Sequence, residues 1–164
     1  REQLGDLVLV SPDVGNVKMA NAYANWLGGE LAIIDKRRKS GSEVVSANII
    51  GEVKGKTALM VDDMISTAGT MCEASRLLMD RGAKDVMAAC THPVLVGLAM
   101  ERLAEAPISR IVTTDTIPCG PRCEPIQEKL VELSVAQLLG EAIHRIHHNQ
   151  SVSSLFRKGG QGKR

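Results

Sequence analysis

Aromatic residues are almost absent from this chain of 164 residues. Tyr23, Trp26 and Phe156 are the only three. Single-stranded nucleic acid is commonly bound on stacked aromatic rings, and a net charge of +1 gives little general attraction to its phosphates. The composition therefore predicts a core of aliphatic residues and argues against a nucleic-acid partner.

Long hydrophobic runs are also missing. No apolar segment approaches the ~20 residues that a membrane-spanning helix needs, so we expect no membrane partner. The first residues resemble neither a signal peptide nor an initiator methionine, which suggests a fragment of a longer protein.

Cys119 and Cys123 are spaced CxxxC but lack two further metal ligands nearby. Together with Cys72 and Cys90 they are typical of reduced thiols in a cytoplasmic protein.

Short apolar runs alternate with amphipathic segments along the chain. The runs predict strands at 7–10, 31–34, 57–61, 86–90, 108–113 and 130–134, and the segments predict helices at 18–27, 71–79, 95–104 and 135–147. Continuous apolar strands between helices are typical of a parallel sheet with both faces covered. We therefore predict a three-layer α/β domain with a mostly parallel, twisted sheet over residues 1–156. The basic, glycine-rich tail, 157–164, is predicted to be disordered.

Polar side chains of the kinds used in binding and catalysis follow the predicted strands. They are Asp13, Lys36, Arg38, Asp62, Asp63, His92 and Asp115. Open parallel sheets bind their ligands at the carboxyl edge, where such residues meet.

The most informative segment is VDDMISTAGT, residues 61–70. A strand, a run of small residues and then a helix predict an anion site built from backbone N–H groups, here those of 67–70. The lysine of a nucleotide-binding GxxxxGK[ST] loop is missing. Two carboxylates would repel a phosphate unless they face another part of the ligand. A sugar phosphate resolves the conflict if Asp62 and Asp63 accept hydrogen bonds from its hydroxyls, and a solvated surface turn is the alternative.

This segment resembles the phosphoribosyl-pyrophosphate loop that phosphoribosyltransferases share with ribose-phosphate pyrophosphokinases, which are also called phosphoribosyl-pyrophosphate synthetases. Further segments resemble the pyrophosphokinases and occur in the same order, over about 7–156: VSPDVGNVKMANAYANWLG, LAIIDKRR, GAKDVMAACTHPVLVG, TTDTIP and SVSSLF. The matching part is the C-terminal half of such enzymes. Their N-terminal half, which supplies most adenine contacts and a metal-binding histidine, has no counterpart here.

The resemblance implies a reaction and a set of ligands. The enzymes transfer the diphosphoryl group of ATP to the 1-hydroxyl of ribose 5-phosphate, giving phosphoribosyl pyrophosphate and AMP. Asp62 and Asp63 would hold the ribose hydroxyls, and Asp13 would bind Mg²⁺. The 5-phosphate would be bound by Ser66, Thr67, Ala68, Gly69 and Thr70.

The resemblance also implies a basic catalytic loop and a regulatory site. Lys36 and Arg38 match the loop that reaches the transferring phosphates, although such charge runs are usually solvated. Ser151, Ser153 and Phe156 match a site between subunits that binds phosphate or ADP as regulators, with a frayed C-terminus as the alternative. A cytoplasmic homo-oligomer is implied for the full-length protein.

Two positions and one segment depart from the family pattern. Ser66 stands where an aspartate is usual, Asn16 where a glycine is usual, and KSGSEVVSA follows Arg38 in place of a segment rich in proline and arginine. They leave open a catalytically weak or regulatory homologue. A phosphoribosyltransferase is a further alternative, against which the Lys36/Arg38 loop, TTDTIP and SVSSLF argue. We expect this chain alone to bind a sugar phosphate or simple anion with little or no turnover.

Overall fold

The computed structural model describes residues 6–13, 15–37 and 46–156. Within them the chain forms strands β1 Leu7–Ser11, β2 Glu30–Arg37, β3 Ser46–Ile50, β4 Thr57–Ile65, β5 Asp85–Pro93, β6 Arg110–Thr114 and β7 Leu130–Leu133. The helices are α1 Val17–Leu27, α2 Gly69–Asp80, α3 Ala99–Glu105 and α4 Ala136–His147, with 3₁₀ helices at Gly120–Ile126 and Ser153–Phe156. In these ranges no helix combines the length and the apolar character needed to cross a membrane.

The strands form one sheet in the order β3-β2-β1-β4-β5-β6-β7. Every neighbouring pair is parallel except β2 and β3, which are antiparallel. The strand order reverses between β1 and β4, because the chain first builds outward to β2 and then returns to the other side of β1. Such a switch point leaves a crevice beyond the carboxyl ends of the two strands, where open α/β sheets bind ligands.

Two separate clusters of buried side chains lie on the two faces of the sheet. On one face, Leu9, Leu59 and Met87 pack with Ala24 of α1. On the other face, alternate strand residues such as Met60 pack with α2 and α3. This arrangement follows from the two-residue period of a strand, which sends successive side chains to opposite faces. At the end of α1, Trp26 is exposed and meets Tyr23 edge to face, with ring centroids 5.4 Å apart.

The predicted α/β class and all six predicted strands are confirmed. β3 was missed because it is a short edge strand that begins with polar residues and leaves Ile50 exposed. The third helix begins at Ala99 and not at 95, because Leu95 and Gly97 take positive φ angles of 50° and 59°. The 3₁₀ helix at Gly120–Ile126 contains Pro121 and Pro125 and was not among the predicted helices.

Candidate functional site

The two aspartates lie inside the end of β4, because this strand continues to Ile65. Asp62 is half-buried beside β5, and its Oδ1 accepts hydrogen bonds from Asn16 Nδ2 at 2.6 Å and from the Asp63 N–H at 2.8 Å. Asp63 is exposed, and its Oδ1 accepts a hydrogen bond from the Met64 N–H at 2.8 Å. The first carboxylate is thus held within the fold, while the second faces solvent.

Burial raises the pKa of Asp62 above its ordinary value, because the charged carboxylate loses hydration. The neighbouring Asp63 carboxyl raises this pKa further. The hydrogen bond from Asn16 acts in the opposite direction, because it stabilises the ionised form. Further hydrogen-bond donors, such as the hydroxyls of a ligand, would stabilise the ionised carboxylate of Asp62 in the same way.

The small residues after β4 form a tight turn into α2. Ala68 has a φ of 59°, in the left-handed region, and α2 begins at Gly69 without a side-chain cap. The Cys72 N–H bonds to the Ala68 carbonyl at 3.0 Å. The N–H groups of Gly69, Thr70 and Met71 precede this bond, at the positive end of the helix dipole. This is the arrangement of a backbone anion site.

A cavity of about 170 Å³ lies directly over this turn. Its walls are formed by Asp62, Met64, Ile65, Ser66, Thr67, Ala68, Gly69, Thr70 and Met71. The cavity thus joins one predicted ribose-binding carboxylate to all five predicted phosphate-binding residues. Asp63 is not part of its lining.

Arg102 contacts the turn, although the sequence did not suggest it. It projects from α3, and its Nη1 donates a hydrogen bond to the Thr67 carbonyl at 2.9 Å. The same nitrogen lies 3.5 Å from where a Cβ on Gly69 would be. The guanidinium therefore adds positive charge to the turn, and no local motif reveals it because Arg102 and Thr67 are far apart in sequence.

The segment after β5 also fixes the turn, through the backbone. The Leu95 N–H donates to the Ile65 carbonyl and the Val96 N–H to the Ser66 carbonyl, both at 3.0 Å. The side chains of Ser66 and Thr67 remain exposed. The turn is held from below by backbone bonds and leaves its hydroxyls available to a ligand.

Asp13 follows β1, at the switch point, and its side chain is exposed. Its Oδ1 accepts hydrogen bonds from the N–H groups of Gly15 at 2.8 Å and Asn16 at 3.0 Å. Across residues 6–13, 15–37 and 46–156, no three His, Cys, Asp or Glu side chains cluster as a metal site would require. Mg²⁺ commonly uses one or two carboxylates and takes its other ligands from substrate phosphates and water. A single exposed Asp13 fits that mode.

The other predicted site residues are placed only in part. The backbone of Lys36 pairs with Ala47 near the carboxyl end of β2, while its side chain and all of Arg38 lie outside the described residues. Ser151, Ser153 and Phe156 follow α4 and do not line the cavity over the turn. The Ser153 N–H donates to Ser151 Oγ at 3.2 Å, and Phe156 is 81% exposed.

Two further polar residues at this edge have structural partners. His92 Nδ1 lies 3.0 Å from Thr116 Oγ1, so the loops after β5 and β6 are linked. Asp115 Oδ1 accepts a hydrogen bond from the Val135 N–H at 2.8 Å, just before α4. The Ser134 side chain donates a hydrogen bond to Asp115 and lowers its pKa.

A larger cavity, of about 460 Å³, lies between the 3₁₀ helix at Gly120–Ile126 and β7. Cys119 and Cys123 form part of its wall, and both are buried free thiols. Burial raises the pKa of Cys119 to about 12, so this thiol stays protonated and poorly nucleophilic. Size alone would favour this cavity, but the charged and backbone groups suited to a sugar phosphate line the smaller one.

The sequence from residue 39 to residue 157 matches a family model described as the phosphoribosyl synthetase-associated domain. The chain belongs to this family. It is 56% identical over 154 residues to a ribose-phosphate pyrophosphokinase of Rhodopirellula baltica, covering 93% of this chain and 48% of that protein. A ribose-phosphate pyrophosphokinase of Gloeobacter violaceus is 52% identical over 157 residues, covering 95% of this chain and 47% of the relative.

A solved structure shows the same relationship to the phosphoribosyl synthetase family. Phosphoribosylpyrophosphate synthetase from Mycobacterium smegmatis matches with a TM-score of 0.80 and 41% identity, covering 88% of this chain and 46% of that one. The predicted family and fold are therefore confirmed. The chain spans about half the length of the curated relatives it matches.

Proposed function

We propose that this chain supplies the ribose 5-phosphate site of a ribose-phosphate diphosphokinase. The enzyme transfers the diphosphoryl group of ATP to the 1-hydroxyl of ribose 5-phosphate, giving phosphoribosyl pyrophosphate and AMP. The supporting observation is the cavity that joins Asp62 to the turn from Ser66 to Thr70. Relatives about half identical to this chain are named ribose-phosphate pyrophosphokinases, which supports the same reaction.

In this proposal the cavity binds the two ends of one ligand. The 5-phosphate accepts hydrogen bonds from the N–H groups at the start of α2 and from the hydroxyls of Ser66, Thr67 and Thr70, while Ala68 and Gly69 allow close approach of the backbone. The half-buried Asp62 accepts hydrogen bonds from ribose hydroxyls inside the cavity. The exposed Asp63, which does not line the cavity, is assigned to the ribose hydroxyls that face solvent. The protein is negatively charged at the end of the cavity that holds the sugar and carries the positive end of the α2 dipole at the end that holds the phosphate. This difference orients the substrate.

Catalysis of diphosphoryl transfer depends on positioning and on neutralisation of phosphate charge. We assign neutralisation to Lys36, near the carboxyl end of β2, and to Arg38, the next residue after this strand in the sequence. Asp13 would hold Mg²⁺, which offsets charge on the phosphates of ATP when it is bound. β1 lies between its parallel neighbours β2 and β4, so the carboxyl ends of these three strands share one edge of the sheet. That shared edge supports a single site for both substrates.

Further proposals concern the domains, the assembly and the regulation of the whole protein. We propose that residues 1–156 form one domain with 157–164 as its tail, and that a second half, as in the longer relatives, completes the adenine site. The whole protein would act in the cytoplasm as a homo-oligomer. Ser151, Ser153 and Phe156 would contribute to a regulatory site for phosphate or ADP.

Binding and turnover by the chain test different parts of the proposal. Calorimetric titration should show tighter binding of ribose 5-phosphate than of ribose or inorganic phosphate alone, because only the sugar phosphate engages both ends of the cavity. The chain alone should form little or no AMP from ATP, Mg²⁺ and ribose 5-phosphate. Joined to the N-terminal half of the Rhodopirellula baltica relative, it should form AMP and phosphoribosyl pyrophosphate. Pyrophosphate release that depends on a nucleobase would instead support a phosphoribosyltransferase.

Ser66 favours a second candidate, a catalytically weak or regulatory homologue. Its side chain is exposed over the cavity, and its carbonyl is held by the Val96 N–H. Phosphate binding by backbone N–H groups does not require an acid at this position, but a catalytic role of the usual aspartate would be lost. A large rise in turnover for Ser66→Asp in the joined protein would identify an impaired enzyme. An unchanged rate would identify a permissive position.

A further inference from the structure

Asn16 connects the segment after β1 to the end of β4, and the two are far apart in sequence. Its backbone N–H donates to Asp13 Oδ1 at 3.0 Å, and its side-chain Nδ2 donates to Asp62 Oδ1 at 2.6 Å. The sheet makes this contact geometrically natural, because β1 and β4 are parallel neighbours with Val10 beside Met60. The residues that follow β1 therefore lie beside the carboxyl end of β4, where Asp62 is located.

The side chain of Asn16 is not used in the way its position suggests. Asn16 is the N-cap of α1, where an asparagine side chain usually accepts a hydrogen bond from the first turn of the helix. No such cap bond is formed in α1. The amide is directed across the crevice to Asp62 instead, and the helix forgoes the stabilisation of a side-chain cap.

The contact restricts how Asp62 can present its carboxylate. Asn16 Nδ2 and the Asp63 N–H both donate to Oδ1, so one oxygen is held from two sides. Both of these donors, which come from described residues, bond to Oδ1, so Oδ2 is the oxygen that we assign to the hydroxyls of a ligand. A half-buried carboxylate with one fixed oxygen has few orientations to lose when it binds hydroxyl groups, so less conformational entropy opposes binding.

We propose that Asn16 is a positioning residue that orients Asp62 toward the hydroxyls of the pentose. The inference rests on the proposed function, since it takes the sugar of a sugar phosphate as the ligand of Asp62. It predicts that Asn16 strengthens recognition of the sugar and has no part in recognition of the phosphate. Removal of its amide should therefore change selectivity between the two ligands, which a residue with a purely structural role would not do.

The test uses the full 164-residue chain and two separate probes, ribose 5-phosphate and inorganic phosphate. Asn16→Ala should weaken binding of ribose 5-phosphate by about 5- to 10-fold, roughly the effect of one ordinary hydrogen bond, because Asp62 keeps its own bonds to the ligand and loses only the group that orients it. Its affinity for inorganic phosphate should stay within about twofold of the wild type, because the turn from Ser66 to Thr70 is untouched. Asn16→Asp should weaken ribose 5-phosphate binding further, because it places a second carboxylate against Asp62.

Two variants separate positioning from folding. Asn16→Ser restores a residue that caps α1 well but is too short to reach Asp62, so it should keep or raise the melting temperature and still lose ribose 5-phosphate affinity. Asn21→Ala, on the exposed side of α1, is the matched control and should leave both affinities unchanged.

The possible failures are distinguishable. If Asn16→Ala and Asn16→Ser bind ribose 5-phosphate as well as the wild type does, the positioning role is wrong while the ribose 5-phosphate site stands. Equal weakening of both probes would show a general disturbance of the crevice and would also overturn it. If the wild-type chain binds neither probe, the proposed function fails first and the inference fails with it.

Discussion

Helices α2 and α4 have the same length, 12 residues, but differ in how much of their apolar surface is buried. Five side chains of α2 are buried, at Met71, Cys72, Ala74, Ser75 and Leu78. In α4 none is buried, although four large apolar residues share its sequence: Leu138 and Leu139 are 53% and 55% exposed, and Ile143 and Ile146 are 68% and 66% exposed.

The comparison shows what fixes the candidate site. The first turn of α2 lines the cavity, and the helix behind it is embedded in the larger core cluster. The N–H groups at that end are therefore positioned before any ligand arrives, which lowers the entropic cost of binding. An amphipathic pattern alone does not distinguish such a helix from α4, because the pattern predicts an apolar face and not the surface that covers it.

The largest effect should come from truncating matched leucines in the two helices. Leu78→Ala removes a fully buried side chain from α2 and should lower the free energy of unfolding by about 2–5 kcal/mol. Leu139→Ala in α4 should change it by no more than about 0.5 kcal/mol, because that side chain is exposed. Urea unfolding followed by circular dichroism measures both. Similar losses from the two variants would mean that α4 is covered in solution and would remove the contrast.

Asp62→Asn should reduce affinity for ribose 5-phosphate by about 10- to 100-fold, because hydrogen bonds to a charged acceptor are lost. The same variant should leave inorganic phosphate binding unchanged or slightly stronger, since a negative charge near the anion site is gone. Calorimetry with each ligand checks both outcomes. An equal loss for the two ligands would contradict the division of the cavity into a sugar end and a phosphate end.

The stability of Asp62→Asn should depend on pH with a defined sign. The pKa of Asp62 is raised in the folded state, so the folded protein holds this proton more tightly than the unfolded chain does. Ionised Asp62 therefore lowers stability above its raised pKa, and this penalty disappears as pH falls below the ordinary carboxyl range. The variant should be more stable than the wild type at pH 7, with an advantage that shrinks on acidification. Thermal melts across pH 3–7 would contradict this if the advantage grew in acid.

Arg102→Ala should weaken binding of inorganic phosphate by about 3- to 10-fold, because the turn loses a charge and the hydrogen bond to Thr67. Arg76→Ala, an exposed position on α2, is the matched control. Its effect should be within about twofold and should vanish at high salt. Titrations at two salt concentrations separate the cases. Equal, salt-sensitive losses in both variants would indicate a diffuse positive field in place of a specific contact.

The smallest effect concerns the left-handed residue at the start of α2. Ala68→Gly removes the backbone strain of a φ of 59° but loses a buried methyl group and makes the unfolded chain more flexible. We expect these terms to offset each other to within about 0.5 kcal/mol. Ala74→Gly, at a buried position within the same helix, should cost at least about 1 kcal/mol. Equal costs at the two positions would argue against the left-handed turn.

The sequence was sufficient to predict the class, the six main strands and the turn after β4, because these depend on local period and on small residues next to a strand. β3 was missed because an edge strand needs neither a continuous nor an alternating apolar pattern when it has only one neighbour. Arg102 and the Asn16–Asp62 contact were not predicted, because tertiary packing alone brings these residues to the site. Asn16 was visible only as a departure from a pattern, with no indication of its partner.

The scarcity of aromatic residues has a practical consequence for measurement. Trp26 is the only tryptophan, and it lies at the end of α1 opposite to Asn16. The two lie ten positions apart along the helix, or about 15 Å at 1.5 Å per residue. Intrinsic fluorescence will therefore report on the far end of α1 and its Tyr23 contact, and a ligand that fills the cavity beside Asp62 should bind without a signal from this fluorophore.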